Sequence, residues 1–422
     1  MQKITADPVR LLKDLIRIDT SNPPGNELPA CRYLAAWAEA EGFQAAVTET
    51  APGRGNVVVR WPGSDPAADR LILLSHLDVV PAVADHWQHP PFAASEADGV
   101  IYGRGCLDTK QLTAISMAAL SALKAAGYRP ARDLLLIATA DEERGSTFGL
   151  RALLEAEPAL FDDAAVITEG GGFALKRADG DVYLLEVGQK GRAVLRLSKP
   201  KTPMNPFTPD YAAFLDSLEL ICRMGGIAIR SGEHARSRAL LAALQTVLVD
   251  SPRHGDLYRT FTENTFSVTS WKSFDAAADG LETELTVDLR MLPGITEADL
   301  RDALERRLTP LGFTWAIDKF EAGNLNEADS RLAALAERAL LRHVPDGRLL
   351  PFISPGGSDA KVLRSRGLAV FGFSPIPASD VTYDEALLLV HGTDERIAGE
   401  SLGFGTNVLL DLIESYDGGS YE

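Results

Sequence analysis

Five stretches of the chain set histidine or carboxylates directly after apolar runs or glycine-rich turns. They are LILLSHLD at 71–78, GRGCLDTK at 103–110, LLLIATADEE at 134–143, AVITEG at 165–170 and HGTDE at 391–395. They carry His76 and Asp78, Asp108, Asp141 with Glu142 and Glu143, Glu169, and His391. Each has a plain reading when taken singly. Asp108 before a helix is an N-cap, the DEE run is a solvated acidic turn, and a lone loop histidine is a surface residue. As a set they offer imidazole alternating with carboxylate, the donor mixture of zinc and similar divalent ions. Two imidazoles and three carboxylates suffice for two metals if one carboxylate bridges. Two ions ~3.5–4 Å apart polarise a carbonyl and lower the pKa of a water shared between them. Asp78, two residues from His76, is expected to bond the second ring nitrogen and fix the tautomer. Of the paired acids Glu142 and Glu143, one is expected to face the metal and the other to take the proton from water.

These residues need elements that bring them together. Apolar runs at Asn56–Trp61, Leu71–Ser75, Asp133–Thr139 and Ala164–Thr168 read as short strands buried on both faces. Helical patterns at Val9–Ile18, Glu27–Gly42 and Thr109–Ala126 alternate with them. That alternation predicts a mostly parallel sheet, and in such sheets ligands bind beyond the carboxyl ends of the strands. The middle of the chain differs. Strand patterns at Arg192–Ser198, Thr265–Lys272, Glu282–Met291 and Thr314–Phe320 are interleaved with helical ones at Pro209–Met224, Glu233–Val249 and Glu297–Leu308. The order suits a small antiparallel sheet covered by helices. The tail returns to the first style, with a helix at Ser330–Arg342, a strand at Leu368–Phe373 and a helix from Glu395. The expected organisation is a catalytic domain in two parts, 1–188 and 323–422, with a second domain inserted at 189–322.

Length and composition bound the rest. At 422 residues the chain exceeds one ordinary core, and 45% apolar with 24% charged residues is normal for a folded globular protein. A net charge of −17 disfavours nucleic acid and anionic membrane as partners. Three scattered cysteines, Cys31, Cys106 and Cys222, give no disulfide framework. With no apolar signal core at the start and no run long enough to span a bilayer, a cytoplasmic location is expected.

The ordered set SHLDVVP, GRGCLDTK, ATADEERGS, ITEG and HGTDE resembles the dinuclear metallopeptidase family of glutamate carboxypeptidase, aminoacylase, acetylornithine deacetylase and succinyl-diaminopimelate desuccinylase. The stretch through Trp87, Phe92, Gly99 and the YGRG turn, and GGSDA at 356–360, extend the resemblance over nearly the whole chain. It implies an α/β fold of the zinc-exopeptidase type, a mixed, mostly parallel sheet flanked by helices. The inserted part would be an α+β ferredoxin-like lid and dimerisation domain, making a homodimer. It implies two divalent metal ions, zinc first and cobalt or manganese as alternatives. His76 and Glu169 would hold one, Glu143 and His391 the other, and Asp108 would bridge them. Glu142 would be the general base and Asp78 a catalytic support behind His76. A cis peptide is expected at Asp108–Thr109. VDLRMLPG matches the segment whose arginine binds the substrate carboxylate, here Arg290, and a planar guanidinium suits that task. Gly357 and Ser358 would line the substrate site; their plain alternative is a glycine turn.

The chain departs from the family in its middle part. The family carries a histidine soon after the first strand of the inserted domain, and this histidine stabilises an oxyanion. Here GRAVLRLS continues as KPKTPMNPFTPD, and an asparagine expected before the Arg290 strand is also missing. His234, in GEHARSRALLAAL, is the candidate substitute and His254 a weaker one. The implied reaction is hydrolysis of an amide or peptide bond in an N-acyl amino acid or small peptide with a free carboxylate. A water between the metals would attack, with Glu142 as its base. Carboxypeptidase and N-acyl-amino-acid deacylase stay open, and Glu169 in place of aspartate leans away from an aminopeptidase. The other readings are a member that binds metal or ligand without turnover, and a hydrolase of another carbon–nitrogen bond such as a carbamoyl or amidine group.

Overall fold

The structure is a computed structural model that describes residues 7–199, 260–275, 281–326 and 330–421. The expected helices at 209–224 and 233–249, together with Cys222, His234 and His254, lie outside the described residues. The chain divides into two compact units. One comprises Met1–Glu186, Ala328–Leu350 and Ser358–Glu422; the other comprises Val187–Glu327 and Pro351–Gly357.

The first unit is built on a twisted mixed sheet. Seven of the sheet's strands run in the order Gln44–Ala51, Arg54–Trp61, Leu134–Thr139, Arg70–His76, Ala164–Thr168, Ala369–Gly372 and Val182–Gln189. The four central strands, from Leu134–Thr139 to Ala369–Gly372, are mutually parallel. The outer three pair antiparallel. Leu134–Thr139 is buried throughout and Arg70–His76 nearly so, which is why these strands read as unbroken apolar runs. Register then decides where the chemistry lies. His76 pairs with Thr139, and Thr168 with Gly372, so His76, the DEE turn and Glu169 leave the sheet at one edge.

Helices cover the sheet. Pro8–Arg17 starts at Asp7, whose carboxylate accepts the N–H groups of Val9 and Arg10, and it buries Leu11, Leu12, Leu15 and Ile16. Lys110–Ala125 is buried along almost its whole length, between the sheet and the helices Pro8–Arg17 and Gly399–Asp417. Its alanines and serines let those neighbours come close. A Cβ on Gly405 would stand 3.0 Å from Ile115 and 2.8 Å from the Pro375 carbonyl, so the glycine permits that approach. Among the described residues no helix is long and apolar enough to cross a membrane.

The second unit holds a four-stranded antiparallel sheet in the order Thr265–Asp275, Leu281–Met291, Gly191–Lys199 and Thr314–Glu321. Period-2 alternation turns Ala193, Leu195, Leu197, Leu285, Val287, Leu289 and Met291 to one face. The helix Glu297–Leu308 packs Leu300, Ala303, Leu304 and Leu308 on that face. A capping box of Thr296 and Asp299 starts this helix.

Candidate metal centre

Each polar stretch ends an element that aims it at one place. The Arg70–His76 strand ends on His76, fully buried. After Leu134–Thr139 the chain takes a left-handed turn at Asp141, φ 65°, and enters a single helical turn, Glu142–Arg144. Glu169 follows the Ala164–Thr168 strand directly. Asp108 precedes the helix Lys110–Ala125, and its peptide bond to Thr109 is cis, as the resemblance implies. His391 follows the short helix Tyr383–Leu389 and also has a left-handed backbone, φ 60°.

The side chains converge. His76 Nε2 lies 3.0 Å from Asp108 Oδ1, 3.4 Å from Glu169 Oε2 and 3.9 Å from Glu142 Oε2. His391 Nε2 lies 3.0 Å from Asp108 Oδ2 and 3.1 Å from Glu143 Oε2. The two oxygens of Asp108 thus face different histidines. Ligand-type atoms of His76, Glu142 and Glu169 cluster within 4.8 Å of one another, and so do those of His76, Asp108 and Glu143.

The electrostatics call for positive charge. Burial opposes the His76 imidazolium, yet the Glu169 charge and hydrogen bonds to carboxylates raise its pKa well above the ordinary value. Hydrogen bonds to Asp108 and Glu143 raise His391 to about 10. Burial lifts Glu169 to about 7 against the pull of His76. Burial and then the Glu169 charge push Glu142 well above the carboxylate range. Asp108 goes the other way, because its bonds to His391 and His76 outweigh its burial. Glu143 supplies the test of fit: its Oε1 is buried with no hydrogen-bond partner. A carboxylate oxygen left bare beside three other acids is costly unless a cation faces it. The residues therefore fit divalent metal.

Asp78 bonds the second ring nitrogen of His76, through its main chain. His76 Nδ1 meets the Asp78 backbone carbonyl at 2.8 Å, while the carboxylate stands off at 3.5 Å. That carboxylate instead accepts the N–H groups of Glu142 at 3.0 Å and Glu143 at 3.2 Å, and Asn22 Nδ2 at 2.9 Å. It orients the acidic turn more directly than the imidazole.

Sequence reasoning missed several supporting residues. Asn22 also donates to Asp141, and Arg54 joins Asp141 to Glu27. Glu395 accepts backbone N–H groups around Asp108. Asp359 accepts the hydroxyls of Thr139 and Ser146, and burial lifts its carboxyl to about 6. Glu395 ends HGTDE and Asp359 lies in GGSDA, so both sit in recognisable motifs; the pairing of Arg54 leaves no local signal.

The remaining candidates divide between the units. Arg290 belongs to the second unit, where its Nε donates to Asp288 at 2.8 Å and its Nη1 to the Pro355 carbonyl at 3.2 Å. Asp288 also holds Arg192. Gly357, in the same unit, is exposed, and a Cβ there would meet nothing within 4 Å. Ser358, in the first unit, accepts the Ala360 N–H through its hydroxyl.

Known proteins resemble this chain over nearly its whole length. Residues 72–415 match the model of peptidase family M20/M25/M40. Pig aminoacylase-1 is 34% identical over 413 residues, 96% of this chain and 94% of the relative. An M20-family metallo-carboxypeptidase from Sulfolobus solfataricus superposes with a TM-score of 0.69 at 16% identity, covering 98% of this chain and all of the other. A dinuclear metal-binding M20 peptidase from Bacillus subtilis does so at 0.59 and 14%, covering 97% and 98%. The chain belongs to peptidase family M20/M25/M40 and is a metallohydrolase of amide or peptide bonds.

Proposed function

We propose that the chain hydrolyses the amide bond of an N-acyl amino acid, or of a small peptide, that carries a free carboxylate. The supporting observation is the convergence of His76, Asp108, Glu143, Glu169 and His391, with Glu142 alongside. On this reading His76 and Glu169 would hold one cation and Glu143 and His391 a second, with Asp108 shared between them. Two divalent ions there, zinc by expectation, would polarise the substrate carbonyl and acidify a water.

The chain's own groups do the rest. Glu142 takes the proton of the attacking water and returns it to the leaving amine nitrogen, so its carboxylate ends as it began. In the metal-free site, burial and then the Glu169 charge raise its proton affinity. Asp78 fixes the Glu142 backbone through the bond to its N–H. Arg290 would bind the substrate carboxylate through its guanidinium, with Gly357 and Ser358 lining the same site. A histidine of the middle segment, His234 before His254, would face the oxyanion. The second unit would also make a homodimer. The N-acyl amino acid is favoured over the peptide by the 34% identity to an aminoacylase across 96% of the chain. Scarce thiols support a cytoplasmic setting, with Cys31 and Cys106 free and buried.

The test is a panel of acyl-amino acids and dipeptides assayed with zinc, cobalt or manganese, with Glu142→Gln as the control. The variant keeps its shape and metal while turnover falls by about 100-fold or more. Near-normal turnover in Glu142→Gln refutes the assigned base. A panel cleaved only at carbamoyl or amidine groups refutes the substrate class.

A further inference from the structure

Asp108 and His391 lie 283 residues apart in the chain, on separate loops, yet Nε2 of one meets Oδ2 of the other at 3.0 Å. One side chain ties those loops together. Glu395, fully buried, accepts the N–H groups of Leu107 at 2.6 Å and Asp108 at 3.1 Å on Oε1. On Oε2 it accepts the N–H of Gly105 at 3.1 Å and Arg104 Nη1 at 2.8 Å. Arg104 then reaches the other loop, donating from Nη2 to the Gly392 carbonyl at 2.7 Å. The Glu395 carbonyl accepts the Gly103 N–H at 2.9 Å, closing the ring. Arg104 is itself buried, its guanidinium 5.1 Å from the Trp87 ring centre.

We propose that Glu395 is a positioning residue for the metal pair, clamping the Asp108 loop to the His391 loop and setting the affinity of the Glu143–His391 metal position. The proposal rests on the dinuclear reading above. Two features make this position the sensitive one. His76 and Glu169 leave adjacent parallel strands whose ladder bonds already fix them. His391 has no such frame, and its left-handed backbone is one that a non-glycine residue keeps only when its surroundings hold it. The clamp also demands a carboxylate. Both oxygens face donors only, so an amide would turn its NH2 towards N–H groups and lose half the acceptors.

Zinc titration by calorimetry, on protein stripped with chelator, reads this directly. The natural chain is expected to bind two zinc ions. Glu395→Gln is expected to keep the first at natural affinity and to bind the second on the order of 10–100-fold more weakly. Cobalt spectra should match the natural chain at one equivalent and differ at two. Arg104→Lys keeps the charge but loses the fork, and should weaken the same position to a smaller degree. Circular dichroism checks folding, and if Glu395→Gln does not fold, Arg104→Lys decides. Two natural-strength sites in the folded variants overturn the proposal, as does equal weakening of both. A natural chain that binds no zinc pair refutes the underlying dinuclear reading instead.

Discussion

Arg54 should be one of the most costly side chains to remove from the first unit, although it touches none of the candidate metal ligands. It opens the Arg54–Trp61 strand and is buried. Its Nε and Nη2 each donate at 2.7 Å to the two oxygens of Glu27, and Nη2 also donates at 3.0 Å to Asp141. Glu27 and Asp141 are buried as well. Arg54→Met keeps much of the apolar bulk but leaves two buried carboxylates facing one another without a cation. Breaking a buried pair in this way costs about 3–5 kcal/mol. The structure favours the upper part of that range, because one guanidinium serves two acids. Burial already raises the Glu27 pKa with Arg54 in place, so Glu27 has no reserve of solvation. Urea unfolding of the metal-free protein, followed by circular dichroism and tryptophan fluorescence, measures the loss. Glu27→Gln/Arg54→Met then completes a double-mutant cycle. A neutral amide has no charge to strand, so the double variant should lose less than the sum of the singles, by about 1–3 kcal/mol. Turnover of Arg54→Met should fall too, since Asp141 carries the turn that presents Glu142 and Glu143. A loss below about 1 kcal/mol, or an additive cycle, refutes the reasoning.

Asp359 gives a pH test. Its folded pKa of about 6 lies above the ordinary aspartate value of about 3.9. Between those values the folded metal-free protein holds a proton that the unfolded chain has released, so stability falls as pH rises from about 4 to 6. Asp359→Asn should flatten that slope, and urea midpoints across the range report it; an unchanged slope refutes the assignment. Arg290→Ala should lower kcat/KM about 10- to 100-fold for substrates with a free carboxylate, mainly through KM, since a charged hydrogen bond contributes about 1.5–3 kcal/mol. The corresponding substrate amides should lose little, and an equal loss on both removes Arg290 from substrate binding.

The parts of the fold that could be read from sequence are those where burial is total. The runs ending in His76, Thr139 and Thr168 are apolar because neighbours cover both faces, and their ends fell within a residue of the observed ones. The strand Gln44–Ala51 was missed because it pairs along one side only and its side chains are half-exposed or exposed, so QAAVTETA shows no apolar face. The sequence pattern starts the last helix at Glu395, four residues before its observed start. It begins at Gly399, after the short strand Arg396–Ala398 pairs with Val100–Tyr102, a contact nearly 300 residues distant. The same distance hid the polar support. Arg54 with Glu27, or Arg104 with Glu395, are ordinary charged residues until the fold brings them together. The position of Asp78 shows the limit within a short motif. Two residues of spacing fixed its neighbourhood, but not which of its oxygens would meet the imidazole.

Those supporting residues share a design. His76 and Glu169 depend on the strand ladder, but the loops that carry Asp108, His391, Glu142 and Glu143 are anchored by buried carboxylates. Asp78 takes the N–H groups of Glu142 and Glu143, Glu395 those of Gly105, Leu107 and Asp108, and Asp141 that of Phe148. A carboxylate suits the task because its two oxygens accept several donors and charge strengthens each bond. It has an electrostatic consequence. Every anchor adds negative charge near a cluster that already holds four acids, so the scaffold that fixes the geometry also deepens the potential for cations. Neutral anchors such as asparagine would hold the loops less firmly and leave that potential shallower. The same substitution, acid to amide, therefore separates the two contributions. At Glu395 it should cost one metal position through geometry. At Asp359, which bonds only hydroxyls among its described partners, it should act mainly through charge.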